Sequence, residues 1–221
     1  MTPREHLGTA QAPGGEELRL YRRGGDFMIV LDRNELMSSR MSGSEEALAD
    51  MSCDRLGKRP GLHMLVGGYG MGFTLRAALA RLGADATVTV VELVPEIIEW
   101  ARGPMAELAA GCLDDPRVRL VMDDVAAAIA RARGEYDAIL LDVDNGPDGL
   151  VREANGKLYT MKGLDAARRA LRPGGVLAIW SAGSDDAFRR RLQSAGCVVD
   201  EVVVRARSNG KGPRHVIWFA R

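Results

Sequence analysis

What this sequence has little of narrows it quickly. It carries 3 cysteines in 221 residues, Cys53, Cys112 and Cys197, with no CxxC pair among them. Such spacing provides neither a disulfide framework nor a zinc site, and it suits reduced thiols in a cytosol. Net charge is missing too: 30 basic and 30 acidic residues cancel, which removes any global attraction to nucleic acid or to an anionic membrane. No apolar run is long enough to span a bilayer, and residues 1–15 are polar, interrupted by Gly and Pro, and lack the apolar core of a signal peptide. The 3 histidines, His6, His63 and His215, stand without a recognisable partner, so a structural or surface role is the default for each. Repeats and low-complexity tracts are absent. The expectation is a soluble cytoplasmic protein that meets small molecules or other proteins, with no nucleic acid and no membrane, built as one domain of ordinary size with a small appendage.

Glycine, by contrast, is concentrated where it can matter. The stretch His63-Met64-Leu65-Val66-Gly67-Gly68-Tyr69-Gly70-Met71-Gly72 stops a short apolar run at a glycine cluster, and apolar residues at helical spacing follow from Phe73 to Leu82. This reads as strand, turn and helix. Glycine leaves no Cβ between the backbone and a ligand, and the helix start offers free N–H groups and a positive dipole end. The same pattern also describes a tight turn that needs glycine for its own geometry.

The chain around this stretch alternates. Strand-like runs fall at 62–66, 87–92, 117–122, 136–142 and 176–181, with helix-like runs at 72–82, 95–108, 125–133 and 162–171 between them. A βαβ series of this kind predicts a parallel sheet covered by helices on both faces. A helix at 185–195 then leads to strands at 198–207 and 215–220, which the turn Ser208-Asn209-Gly210-Lys211-Gly212-Pro213 makes antiparallel. Upstream, runs at 17–23, 27–31 and 36–40 read as a hairpin and a third strand, followed by a helix that Ser44 opens and Lys58-Arg59-Pro60-Gly61 stops. The division expected is 1–57 for a β-hairpin appendage with its linking helix, and 58–221 for the main α/β domain.

In an open parallel sheet, ligands collect beyond the carboxyl ends of the strands. The second strand there delivers Glu92, a carboxylate able to accept from both hydroxyls of a ribose, or to cap the helix that starts near Pro95. The third delivers Asp123 and Asp124; Asp124 suits a helix cap and an adenine amino contact together, with Asp123 the weaker ligand. The fourth ends in Leu140-Leu141-Asp142-Val143-Asp144-Asn145-Gly146-Pro147-Asp148. Carboxylates there attract an ammonium and take its proton, so Asp142 and then Asp144 are the candidate catalytic acids. A polar loop that solvates itself, or a divalent cation on Asp142, Asp144 and Asn145, are the other readings. No metal is expected, since a further clear ligand is missing.

With these residues assembled, the chain resembles the spermidine synthase family, a branch of the class I S-adenosylmethionine (AdoMet)-dependent transferases, whose Rossmann-like sheet of seven strands closes with an antiparallel last strand. The landmarks are Val66-Gly67-Gly68, Thr74-Leu75-Arg76, Val91-Glu92-Leu93, Asp115-Pro116-Arg117-Val118 with Asp124, Tyr136-Asp137-Ala138-Ile139-Leu140-Leu141-Asp142, and Leu158 with Arg168-Arg169-Ala170-Leu171-Arg172-Pro173-Gly174-Gly175. The resemblance implies AdoMet or its decarboxylated form as co-substrate, held by Gly67, Gly68 and Gly70, with the ribose on Glu92 and the adenine region on Asp124. It implies that Asp142 helps deprotonate an attacking amine, and it implies a homodimer.

The departures lie on the acceptor side. The family's Gly-Gly-Gly-Asp-Gly loop is one residue longer here and lacks the acid; its Tyr-His-Glu-Met segment reads Ser44-Glu45-Glu46-Ala47; its Asp-Ser-Ser/Thr-Asp-Pro reads Asp142-Val143-Asp144-Asn145-Gly146-Pro147; its later Phe-Tyr pair falls near Gly163-Leu164. The leading expectation is therefore methyl transfer from AdoMet to a small nucleophile, an amine among the options. Aminopropyl transfer from decarboxylated AdoMet is the alternative, followed by an NAD-dependent oxidoreductase and a non-catalytic AdoMet-binding protein.

Overall fold

Alternation along the central strands builds a core on each face of one sheet. The computed structural model describes residues 3–32, 34–143 and 153–221. The chain begins with β1 (Glu5–Gln11), β2 (Glu17–Arg23), β3 (Asp26–Leu31) and β4 (Asn34–Ser38), then α1 (Gly43–Leu56). The alternating series follows: β5 (His63–Gly67), α2 (Phe73–Arg81), β6 (Thr87–Glu92), α3 (Pro95–Arg102), α4 (Ala106–Ala109), β7 (Val118–Met122), α5 (Val125–Arg131), β8 (Tyr136–Leu141), α6 (Met161–Ala170) and β9 (Leu171–Ser181). It closes with α7 (Asp186–Ser194), β10 (Val199–Arg205) and β11 (Arg214–Ala220).

The large sheet has seven strands in the order β10-β11-β9-β8-β5-β6-β7, all pairs parallel except those that β11 makes with β9 and β10. The expected α/β sheet with an antiparallel last strand is the one observed. Because side chains on a strand alternate faces, Met64, Val66, Val90, Ala138 and Ala178 join one apolar cluster with α1, α2 and α3. Leu65, Val91, Ile139 and Leu177 join another with α5, α6 and α7. Strand order reverses between β5 and β8, since the chain runs outward through β6 and β7 before returning to the other side of β5. That switch point is where a doubly wound sheet leaves a crevice.

Three local expectations need correction. The appendage is a four-stranded antiparallel sheet in the order β1-β2-β3-β4, and not a hairpin with one further strand. In β1 only Ala10 is buried, so an edge strand that pairs through its backbone shows no hydrophobic alternation to read. The 95–108 helix is two helices: α3 ends at Arg102, and Gly103-Pro104 breaks the run because proline cannot donate to the preceding turn. Finally, Ser44 caps nothing. Ser42 stands at the N-cap of α1 without a side-chain bond, and Ser44 is fully buried.

Two contacts locate the appendage. Leu18, Leu20, Ile29 and Leu31 belong to the apolar cluster under α1 to α3, and Trp100 of α3 is buried so close to Gly8 that a Cβ there would come within 2.6 Å of its Nε1. Trp100 is thus a packing residue. The helix α1, which precedes the expected division at 57/58, lies across β8, β9, β10 and β11.

Candidate active site

At the switch point the glycine loop, three strand ends, the start of α1 and the appendage surround one cavity. Its apolar wall comes from Leu18, Ile29, Leu31, Leu36 and Met37 on one side and Val91, Leu93, Val94 and Ile97 on the other. Its polar groups are Glu45, Glu92, Asp123, Asp124 and Asp142.

The loop owes its shape to glycine at two points. Gly68 has φ +82°, and a Cβ there would stand 3.0 Å from the Asp142 carbonyl oxygen. Gly67 lies behind the lining: a Cβ there would come within 2.9 Å of Val125, so its smallness lets β5 and α5 pack. Gly68 and Gly70 line the cavity, and Gly67 does not. Tyr69 turns away from the cavity into the core, its hydroxyl 3.5 Å from Cys112 Sγ, and burial pushes its phenol far above the ordinary value. No side chain caps α2, whose N-cap is Gly72.

Glu92 is buried and heavily engaged. Oε1 accepts from the backbone N–H groups of Leu93 and Val94, each at 2.8 Å, and Oε2 accepts from Tyr69 N–H at 2.9 Å. A carboxylate has about four acceptor positions, so roughly one stays open toward the cavity. The residue therefore welds the glycine loop to the start of α3. Asp124 is the N-cap of α5, accepting from Ala126 N–H at 2.7 Å. Asp123 accepts from Asp124 N–H at 2.8 Å and pairs with Arg131, whose guanidinium holds its carboxyl below the usual range.

Asp142 follows β8 directly. Its backbone N–H donates to Gly67 C=O at 3.2 Å, and its Oδ2 accepts from the Thr74 hydroxyl at 2.8 Å. Removal from water pushes its carboxyl up to about 6, against the opposing bond from Thr74. Glu45, in the first turn of α1, is buried in the same cavity. Burial first, and the neighbouring Asp142 charge second, push it up to about 8. Asp144, with Asn145 and Asp148, lies outside the described residues.

The structure thus brings Gly68, Gly70, Glu92, Asp123, Asp124 and Asp142 to one cavity. Sequence reasoning missed Glu45, Thr74 and Trp180, all at this site. The signal for Glu45 was its place in Ser44-Glu45-Glu46-Ala47, a segment that departs from the family on the acceptor side; nothing local marks that turn as buried.

The fold is that of the class I AdoMet-dependent transferases. A solved spermidine synthase from Thermotoga maritima superposes with a TM-score of 0.76 at 20% identity, covering 97% of this chain and 71% of that one. The chain belongs to the spermine/spermidine synthase domain family, whose pattern matches residues 46–184. A polyamine aminopropyltransferase of Mycobacterium tuberculosis is 35% identical over 173 residues, which are 77% of this chain and 30% of that protein. A putrescine N-methyltransferase of Nicotiana tabacum is 36% identical over 115 residues, 52% of this chain and 28% of that protein. The chain thus spans less than a third of the length of these two relatives.

Proposed function

We propose that this chain transfers the aminopropyl group of decarboxylated AdoMet to a small aliphatic amine. The observation that carries this reading is the sign of the cavity. Among its described lining residues are five carboxylates, Glu45, Glu92, Asp123, Asp124 and Asp142, and no Lys, Arg or His. Among the described lining residues the carboxylate of intact AdoMet would find no cation, and burying an unpaired charge is costly. The decarboxylated form brings only positive charge, on sulfonium and amine, into an acidic site. Methyl transfer from AdoMet, the leading expectation from sequence, therefore ranks second, and an NAD-dependent oxidoreductase has no support in the family match.

In this reading Gly68 and Gly70 leave room for the nucleoside, Glu92 offers its open acceptor position to the ribose, and Asp124 borders the adenine region. The sulfonium is already activated, so the residues contribute alignment, water exclusion and proton removal. Asp142 takes a proton from the acceptor ammonium; its raised basicity suits it to that task near neutral pH. Leu18, Ile29, Leu31, Leu36 and Met37 offer a hydrocarbon surface to the body of the acceptor. Division of the chain after α1, and a homodimer, remain part of the proposal.

Calorimetric titration with AdoMet and with its decarboxylated form, followed by mass spectrometry of products formed with a panel of diamines and monoamines, tests the reading. Selective binding of the decarboxylated form with an aminopropylated product is expected. Tight AdoMet binding with a methylated product would reverse the order.

A further inference from the structure

The carboxyl pair in the cavity does not end at the cavity wall. Ser44 and Glu45, adjacent in α1, are both buried, and the Ser44 hydroxyl donates to Glu45 Oε2 at 2.6 Å. The same hydroxyl lies 2.9 Å from Nδ1 of His215, a residue 171 positions away on β11. His215 is half-buried, its ring edge-on to Trp180 at 4.7 Å between centroids, and Trp180 in turn lines the cavity. A serine hydroxyl holds one proton and two lone pairs. When it donates to Glu45 it accepts from His215 Nδ1–H. When Glu45 is protonated the hydroxyl can reverse, accepting from the carboxylic acid and donating to Nδ1. Groups at these distances can pass a proton in either direction without moving a heavy atom.

Aminopropyl transfer to an ammonium releases one proton per turnover. The acceptor R–NH3+ loses a proton to become R–NH2; its lone pair forms the new N–C bond as the C–S bond breaks; sulfonium becomes neutral thioether, and the product nitrogen keeps the remaining positive charge as a secondary ammonium. The released proton leaves an acidic cavity before the next amine binds. We propose that Glu45, Ser44 and His215 form its exit path: Glu45 passes its proton through the Ser44 hydroxyl to His215 Nδ1 as it takes up the proton from Asp142, and the proton leaves from the imidazole. This assignment rests on the site being an amine-accepting transferase.

The surroundings fit a relay. Glu45 and Asp142 line the same cavity; the Asp142 charge, and that of Glu46 on the same helix as Glu45, disfavour the Glu45 charge, and Asp142 accepts from Thr74. His215 meets Ser44 and Trp180, and its partial burial disfavours the cation, so an arriving proton is not retained. Ser44 and His215 are positioning residues here, since neither is among the groups lining the cavity.

The test uses the full chain with Ser44→Ala, His215→Gln and His215→Ala. With decarboxylated AdoMet and the best amine, Ser44→Ala and His215→Gln should each lower kcat by about tenfold at low buffer concentration and leave KM for the amine unchanged. Added imidazole should restore His215→Ala. A fall in kcat that imidazole does not restore, or no fall in either variant, overturns the relay. A second measurement needs no substrate: the NMR titration of the His215 imidazole, assigned by its loss in His215→Gln, should shift in Glu45→Gln and in Ser44→Ala. An unmoved midpoint overturns the relay even if transfer is found. A shifted midpoint in a protein without transferase activity upholds the hydrogen-bonded linkage and rejects the functional reading alone.

Discussion

Glu45 and Asp142, 97 positions apart in sequence, present their carboxyl groups to the same cavity, and each is held above the ordinary range, at about 8 and about 6 respectively. Both shifts begin with desolvation, and the Asp142 charge adds to that of Glu45. A raised folded-state value means that the native protein binds more protons than the unfolded chain between 4.5 and about 8. The stabilisation from neutral Glu45 is therefore complete below the unfolded value and is lost as pH rises through the folded one. The expected outcome is that wild type loses on the order of 2 kcal/mol relative to Glu45→Gln between about pH 5 and about pH 9. His63, whose cation burial disfavours, acts in the opposite sense near its own range but is present in both proteins and cancels. Urea unfolding across pH decides; parallel stability curves would refute the raised carboxyl.

Glu92 should matter to the fold before it matters to any ligand. Its replacement by alanine leaves the N–H groups of Tyr69, Leu93 and Val94 without their acceptor. Orphaned donors beside a buried site cost about 1–3 kcal/mol each, some of which water recovers. A loss of about 3 kcal/mol in urea unfolding is expected, together with at least about tenfold weaker calorimetric binding of methylthioadenosine. Wild-type stability with weakened binding would mean that Glu92 serves the ligand alone.

Gly68→Ala strains the loop twice, through φ +82° and through a Cβ at 3.0 Å from the Asp142 carbonyl oxygen. The expected cost is about 1–3 kcal/mol, seen as a fall of roughly 3–8 °C in Tm by calorimetry. Because the clash is with Asp142 itself, transferase activity should fall further than stability alone explains. An unchanged Tm would remove the strain argument.

The neighbouring acids should part company. Asp124→Ala deletes the N-cap of α5 and should cost about 1 kcal/mol. Asp123→Ala removes a pair whose Arg131 side chain is 63% exposed, and should cost under about 0.5 kcal/mol. Equal losses in thermal unfolding would contradict the assignment of the cap to Asp124.

The sequence by itself determined the sheet, the glycine turn and the acids at the strand ends. Short apolar runs, βα alternation and the polar turn at 208–213 are local patterns, and chain direction then dictates that Glu92, Asp124 and Asp142 emerge at one edge. Even there the reading left Glu92 divided between cap and ligand, and the three backbone bonds it accepts were visible only once β5, β6 and α3 were in place. Edge strand β1 escaped notice because its pairing is through the backbone, which leaves no periodic trace. The buried Ser44-Glu45 turn was beyond local reading for a different reason. Its burial, the raised carboxyl and the bond to His215 arise from α1 lying across β8 to β11. Only tertiary packing decides which of many acidic residues lose their water, and so which carboxyl groups are raised.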